Sequence, residues 1–102
     1  MARLDELIHQ PVRLRLMATL VAARDGTKLD FTFLRDHLGV TDGNLGAHLR
    51  RLEDAGYVAV SKTFVGRKPR TYATATAPGR DAFASHVRAL EAVLEGAGLE
   101  DE

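Results

Sequence analysis

The chain has 102 residues, 45% of them hydrophobic, with 14 basic and 14 acidic side chains and no cysteine. That is the size of one domain with one modest core, to which a second copy would add buried apolar surface. The missing thiols exclude a disulfide framework, thiol catalysis and thiolate metal sites, and the zero net charge gives no sign of a polyanionic partner. No apolar run approaches the roughly 20 residues that span a bilayer. The start, Met1-Ala2-Arg3-Leu4-Asp5-Glu6, carries acids where a signal peptide needs apolar residues. The sequence therefore predicts a cytoplasmic protein with no membrane partner.

Leu4, Leu7 and Ile8 recur at helical spacing and predict a short first helix. Pro11 suits the first turn of a second one, where Val12, Leu16 and Leu20 form a row flanked by Met17 and Val21. It should stop near Arg24-Asp25-Gly26. Thr27 to Asp30 can form a short strand. Thr32 can cap a helix from Phe33 to Leu38, ended by Gly39, with Val40 turned inward. Thr41 is a good cap for the next helix, Asp42 favours its positive end, and Leu45, Leu49 and Leu52 share one face before the stop at Ala55-Gly56. Two strand-like runs follow, 57–62 and 70–76, joined by the turn-forming Gly66-Arg67-Lys68-Pro69. After Pro78 and Gly79 a last helix should run from about Arg80 to Ala97, with a frayed tail at 98–102.

Charge is unevenly spread. Residues 43–80 hold seven basic groups (Arg50, Arg51, Lys62, Arg67, Lys68, Arg70, Arg80) against Glu53 and Asp54, a net +5. Residues 81–102 hold one Arg against six acids, a net −5. Such asymmetry suits either a solvated patch or a surface for an anionic partner.

The connection Gly39-Val40-Thr41 has the length and composition of a helix-turn-helix, which makes the following helix a candidate reader of the DNA major groove. Projected at 100° per residue, that helix turns its leucines one way. The opposite arc holds Gly43, Ala47, Arg50 and Asp54, with Asn44 and Arg51 beside it. Each glycine costs a helix on the order of 1 kcal/mol relative to alanine. Gly43 and Gly46 therefore need a reason, and close approach to DNA is one; a loosely packed surface helix is the other reading. Asn44 can bond an adenine edge in both directions. Thr41 and the helix N-terminus can hold a phosphate, and Arg50 and Arg51 can touch the backbone, although Arg51 could equally pair with Glu53, Asp54 or Asp36. His48, at the edge of the apolar arc, suits a phosphate contact or a packed role. The hairpin tip, Arg67 and Lys68 with Arg70 and Lys62 behind, can reach flanking phosphates or a minor groove. Taken alone, it would be a solvated turn.

The run from Leu34 to Val58 resembles the reading helix and first wing strand of winged-helix regulators of the MarR and ArsR superfamilies, above all their small stand-alone members. Three further pieces agree. Pro11-Val12-Arg13-Leu14-Arg15-Leu16 looks like the first core helix of that family, Phe64 to Tyr72 like its wing, and Thr76 to Phe83 like the start of its last helix. The resemblance covers roughly residues 5–95. It implies a mainly α fold with a small β-hairpin (α+β), a winged helix-turn-helix with an added C-terminal dimerisation helix. The chain would be a single domain over 1–102, with a DNA-binding core at about 11–76 and the dimerisation helix at about 78–97. It also implies a homodimer on double-stranded DNA that represses or activates at a promoter. No cysteine metal box and no long helices enclosing a phenolic ligand are present, so no effector or cofactor is implied.

The seam Phe83, Val87, Leu90, Leu94 and Ala97 has coiled-coil spacing and can pack on its own domain or on a symmetry mate. Leu4, Leu7 and Ile8 can complete that interface. His86 flanks the seam, as a partly exposed residue or a pH-sensitive interface group. Arg13 lies within an apolar arc and should be paired with an acid. No metalloenzyme histidine spacing, Ser-His-Asp order, phosphate loop or dinucleotide fingerprint occurs, so an enzyme is not expected. A winged-helix module that binds proteins is the alternative; an outward apolar patch on the reading helix would favour it.

Overall fold

Leu16, Met17 and Leu20 are buried along one side of the first long helix, and the other elements assemble around that side. The computed structural model describes residues 3–100, with side chains to residue 96. The order is α1 (Pro11–Ala22), β1 (Leu29–Asp30), α2 (Phe31–Leu38), α3 (Asp42–Asp54), β2 (Val58–Val65), β3 (Lys68–Ala75) and α4 (Ala77–Glu100). β3 lies between β1 and β2 in one antiparallel sheet. β2 and β3 pair from Val58 opposite Ala75 out to Val65 opposite Lys68, so the hairpin is longer than the sequence predicts. Its two-residue turn has Gly66 at φ +65°, as a primed hairpin turn requires at its first position. Leu34 and Leu38 of α2, Leu45, Leu49 and Leu52 of α3, and Val58, Ala73 and Ala75 of the sheet complete the core. Truncating any of these leucines to alanine costs about 2–5 kcal/mol.

Element ends differ from expectation for local reasons. Residues 4–8 form no helix, because Pro11 opens α1 and leaves too short a stretch to nucleate one. They form a turn held by Asp5, whose Oδ1 accepts from the N–H groups of Leu7 (2.9 Å) and Ile8 (3.2 Å). α1 ends at Ala22, before Gly26; the carbonyls of Val21 and Ala23 accept from the Arg80 guanidinium at 3.0 and 3.1 Å. The N-cap of α2 is Asp30, not Thr32: its Oδ1 accepts from the Thr32 N–H. Gly39, at φ +68°, ends α2 in the left-handed conformation that glycine adopts without penalty. α4 starts at Ala77, since Thr76 Oγ1 accepts from the Gly79 N–H (3.0 Å) and Pro78 falls in the first turn, where its missing N–H is harmless. The helix continues through residues 98–100, where fraying was expected; residues 101–102 lie outside the described residues.

The face that α4 turns inward is not the apolar seam. It consists of Gly79, Ala82, His86 and Ala89. A side chain at 79 would overlap the Tyr57 carbonyl, so glycine sets how closely α4 approaches the base of the hairpin. The seam is offset by one residue. Phe83 packs at the margin of the core, Val87 and Leu90 are half-buried, and Leu94 is 73% exposed. Residues 91–95 are exposed on every side, Val93 included at 54%. The side chain of Ala97 lies outside the described residues.

His86 is fully buried, contrary to the expectation of partial exposure. Its Nδ1 accepts from the Asp5 N–H at 2.9 Å. Asp5 Oδ2 accepts in turn from the Tyr57 hydroxyl at 2.6 Å. One carboxylate residue thus joins the N-terminal turn, α4 and the base of the hairpin. The bond to Asp5 holds the Tyr57 hydroxyl protonated, pushed up to about 12, with burial adding to the effect. Burial lowers the His86 pKa, and the neighbouring His9 ring lowers it further, outweighing Asp5 and Glu6. An unfolded histidine takes up a proton near pH 6.5, which folded His86 resists. Stability is therefore fully present above that pH and falls as pH drops below it. Urea unfolding between pH 7 and pH 5 should show this loss. His86→Asn, whose Oδ1 can still accept from Asp5, should lose less; an unchanged pH dependence would rule out His86 as its source. His48, also lowered by burial, contributes to the same window in both proteins.

Candidate nucleic-acid interface

Because Leu45, Leu49 and Leu52 are buried, the opposite side of α3 has to face out. Gly43, Asn44, Ala47, Arg50 and Arg51 are exposed there. Thr41 Oγ1 accepts from the Asn44 N–H (3.1 Å), so the Thr41 hydroxyl is engaged as the helix cap. Nothing lies within 4 Å of where a side-chain carbon would sit at Gly43 or Gly46. Internal packing thus gives no reason for either glycine. Two other residues singled out on this helix are tied inward. Asp42 binds the Arg35 guanidinium at 2.9 Å, which fixes the start of α3 to α2. His48 is half-buried, its Nδ1 3.2 Å from Arg13 Nη1. Burial lowers its pKa, and Arg13 and Arg51 lower it further, so it presents a neutral ring. Among the described residues Arg13 has no acidic partner; its Nε donates to the Leu7 carbonyl at 2.6 Å.

The hairpin faces α3 across an open groove. Gly46, Leu49, Arg50 and Glu53 line one wall, and Val60, Lys62 and Thr71 line the other, with Phe31 at the end. Arg50 and Lys62 therefore flank the same groove. Lys62, Arg67 and Lys68 are exposed. Among the described residues no carboxylate lies within ion-pair distance of Arg50, Arg51, Lys62, Arg67 or Lys68. Arg51 thus makes none of the acid pairs open to it in the sequence. Arg70 differs: it binds Asp30 at 2.9 Å, which ties the hairpin to the start of α2. Arg80 is committed to the end of α1.

At the other end of the chain, Ile8 is fully buried in the core of its own protomer, which leaves it no surface to offer a partner. Leu7 is half-buried against that core, while Leu4 remains 36% exposed. Sequence reasoning missed Phe64 and Val65, exposed at 70% and 53% on the outer part of β2. Their signal was an apolar pair directly before a glycine turn loaded with cations. Phe33 was missed as well; it stacks on His37 on the outside of α2, with ring centroids 5.5 Å apart.

The family profile described as "Winged helix DNA-binding domain" matches residues 12–94. The chain belongs to this family. An uncharacterized protein of Methanocaldococcus jannaschii is 30% identical to this winged-helix chain over 82 residues, which are 80% of this chain and 86% of the relative. The structure of a transcriptional regulator homologue from Pyrococcus horikoshii OT3 superposes with a TM-score of 0.82 at 33% identity, covering 91% of this chain and 89% of the other. A PadR family transcriptional regulator from Eggerthella lenta gives a TM-score of 0.68 at 25% identity, covering 94% and 89%. This likeness is to a PadR-type winged helix, whereas the resemblance read from the sequence is to the MarR and ArsR superfamilies. No helix among the described residues is long and apolar enough to cross a membrane.

The empty space at Gly46 generates a test that separates folding from binding. Gly46→Ala should stabilise the winged helix by on the order of 1 kcal/mol, read as a higher urea midpoint, because α3 gains helix propensity without a clash. The same variant should bind duplex DNA about tenfold more weakly, equivalent to about 1.4 kcal/mol, because the added methyl enters the groove between α3 and the hairpin. Unchanged DNA affinity would remove close approach as the reason for the glycine.

Proposed function

We propose that the chain is a sequence-specific transcriptional regulator that binds double-stranded DNA as a homodimer. In this reading α3 enters the major groove, and the wing (the β2–β3 hairpin) lies on the flanking backbone or in the minor groove. The observation that carries it is the groove flanked by Arg50 of α3 and Lys62 of the wing, with Asn44 and Ala47 exposed on the same helix. A duplex can meet both elements at once. Five cations without an acidic partner supply the attraction to phosphate, which is largely independent of sequence. Asn44 supplies discrimination, since its amide offers a donor and an acceptor to an adenine edge. The winged-helix relatives with assigned roles are transcriptional regulators, a non-enzymatic class, and this chain is read as a regulator in the cytoplasm rather than an enzyme.

The α4 offset supports the dimer. A helix whose inward face is small and polar, and whose Val87–Leu90–Leu94 stripe is left partly or wholly exposed, gains from a second copy. Phe83 lies one turn before that stripe, and Leu4 and Leu7 flank Asp5, which bonds to His86 of the same helix; all three belong to the same proposed interface. A twofold axis there would set two reading helices about 34 Å apart, one turn of DNA. The acidic segment 81–102 would gather at the axis, away from phosphate.

A gel-shift titration with the DNA immediately upstream of the coding sequence, at two salt concentrations, tests the reading. Affinity should fall steeply with salt. Replacing Arg67 and Lys68 by alanine should weaken every duplex alike and reduce the logarithmic salt slope by about 2, close to 0.9 per phosphate contact. Asn44→Ala should change the ranking of duplexes. If it weakens all of them equally, Asn44 does not read bases. Leu94→Lys should shift the sedimenting species from dimer to monomer; a dimer that persists would move the interface elsewhere.

A further inference from the structure

The wing carries an apolar surface that its cations do not explain. Strand side chains alternate, so Val58, Val60, Lys62 and Phe64 share one face of β2. Their register partners Ala75, Ala73, Thr71 and Pro69 share that face of β3. At its base this face is core: Val58, Ala73 and Ala75 are buried. One step out, Val60, Lys62 and Thr71 line the groove opposite α3. One step further, Phe64 stands directly opposite Pro69 with nothing covering it, at 70% exposure. The face that looks toward the reading helix thus ends in a phenylalanine–proline pair. Arg67 follows it in the turn, and Lys68 stands opposite Val65. An aromatic in this position buries less than a third of its surface in the protomer, and with Pro69 beside it the apolar surface is left for a partner.

We infer that Phe64, backed by Pro69, is an apolar wedge that seats in the DNA minor groove beside the site read by α3. The inference rests on the regulator reading. Three features single out a duplex as occupant: the flanking cations Lys62, Arg67 and Lys68 carry no acidic partner, the face is continuous with the α3 groove, and proline on β3 is an inflexible backing. Apolar side chains inserted at a base step widen the minor groove and kink the duplex, at a cost that depends on sequence. Phe64 therefore contributes selectivity for easily deformed flanking steps, where the cations contribute only attraction.

The chain has no tryptophan, so Phe64→Trp creates a single tryptophan, whose emission is read apart from that of Tyr57 and Tyr72, at the proposed contact. Its emission should change on titration with duplexes that the unaltered protein selects from random-sequence DNA. Phe64→Ala should lower affinity for those duplexes about tenfold while leaving the salt slope unchanged, because a neutral side chain releases no counterions. Phe64→Leu should restore most of the loss. The residue is exposed, and matching urea midpoints for all variants would exclude a folding defect. Emission that ignores DNA, or Phe64→Ala binding as tightly as the parent, overturns the wedge. So does a Phe64→Ala protein that changes oligomeric state with DNA affinity intact, since the tip would then join copies of the chain. If the unaltered protein selects no duplex at all, the regulator reading fails, and the wedge with it.

Discussion

The face of α3 proposed to meet a duplex is positioned by the burial of three leucines on that helix. Leu45, Leu49 and Leu52 insert between α1, α2 and the base of the sheet. Rolling α3 by one residue, about 100°, would expose that row and drive Asn44 or Arg50 toward the core. Exposing even one such leucine forfeits about 1.5–3 kcal/mol, a sizeable part of the 5–15 kcal/mol that typically separates folded from unfolded chains. Helix orientation is therefore fixed by hydrophobic burial. The polar outer face inherits that precision without contributing to it, which is why it can carry two glycines and a bare asparagine.

The cations divide by what they touch. Arg80 and Arg70 lie inside the basic stretch of the sequence, yet both serve the fold, one closing the end of α1 and the other tying the wing to α2. Arg35 likewise holds Asp42 and Asp36. Within the basic stretch 43–80, the cations that meet no acid among the described residues, Arg50, Arg51, Lys62, Arg67 and Lys68, lie on the outer face of α3 and on the wing. A net charge of zero conceals this, because acids and bases are sorted by position rather than balanced locally.

The helix-turn-helix was legible because its signals are local. Thr41, Gly39 and the leucine row each act within a few residues, and the structure uses all three. The hairpin was legible for the same reason. The misreadings concern contacts between distant parts of the chain. His86 looked partly exposed because it flanks the apolar stripe of α4 rather than lying in it; it is fully buried, and its Nδ1 accepts from the N–H of Asp5, 81 residues away. The stripe of largest side chains on α4 could have faced its own domain or a second copy; the face turned inward is instead the one with Gly79, Ala82, His86 and Ala89, since at Gly79 the Tyr57 carbonyl leaves no room for a side chain. Ile8 looked surplus to a minimal domain and proved to be core. In each case the deciding atoms belong to an element that periodicity within one segment does not sense.

The hairpin is also a mechanical object. Its base is stitched on both strands: the Thr76 N–H donates to the Tyr57 carbonyl at 3.1 Å, and its hydroxyl to the Gly56 carbonyl at 2.6 Å. The eight residues from Val58 to Val65 extend beyond that anchorage by roughly 26 Å, at about 3.3 Å per residue. A tilt of about 10° at the root would carry the tip by about 4–5 Å over such a length. Tyr57 holds the root and is itself held by Asp5, which also grips α4. The stiffness of a pin between the N-terminal turn and α4 thus governs how accurately the far end of a ribbon is aimed.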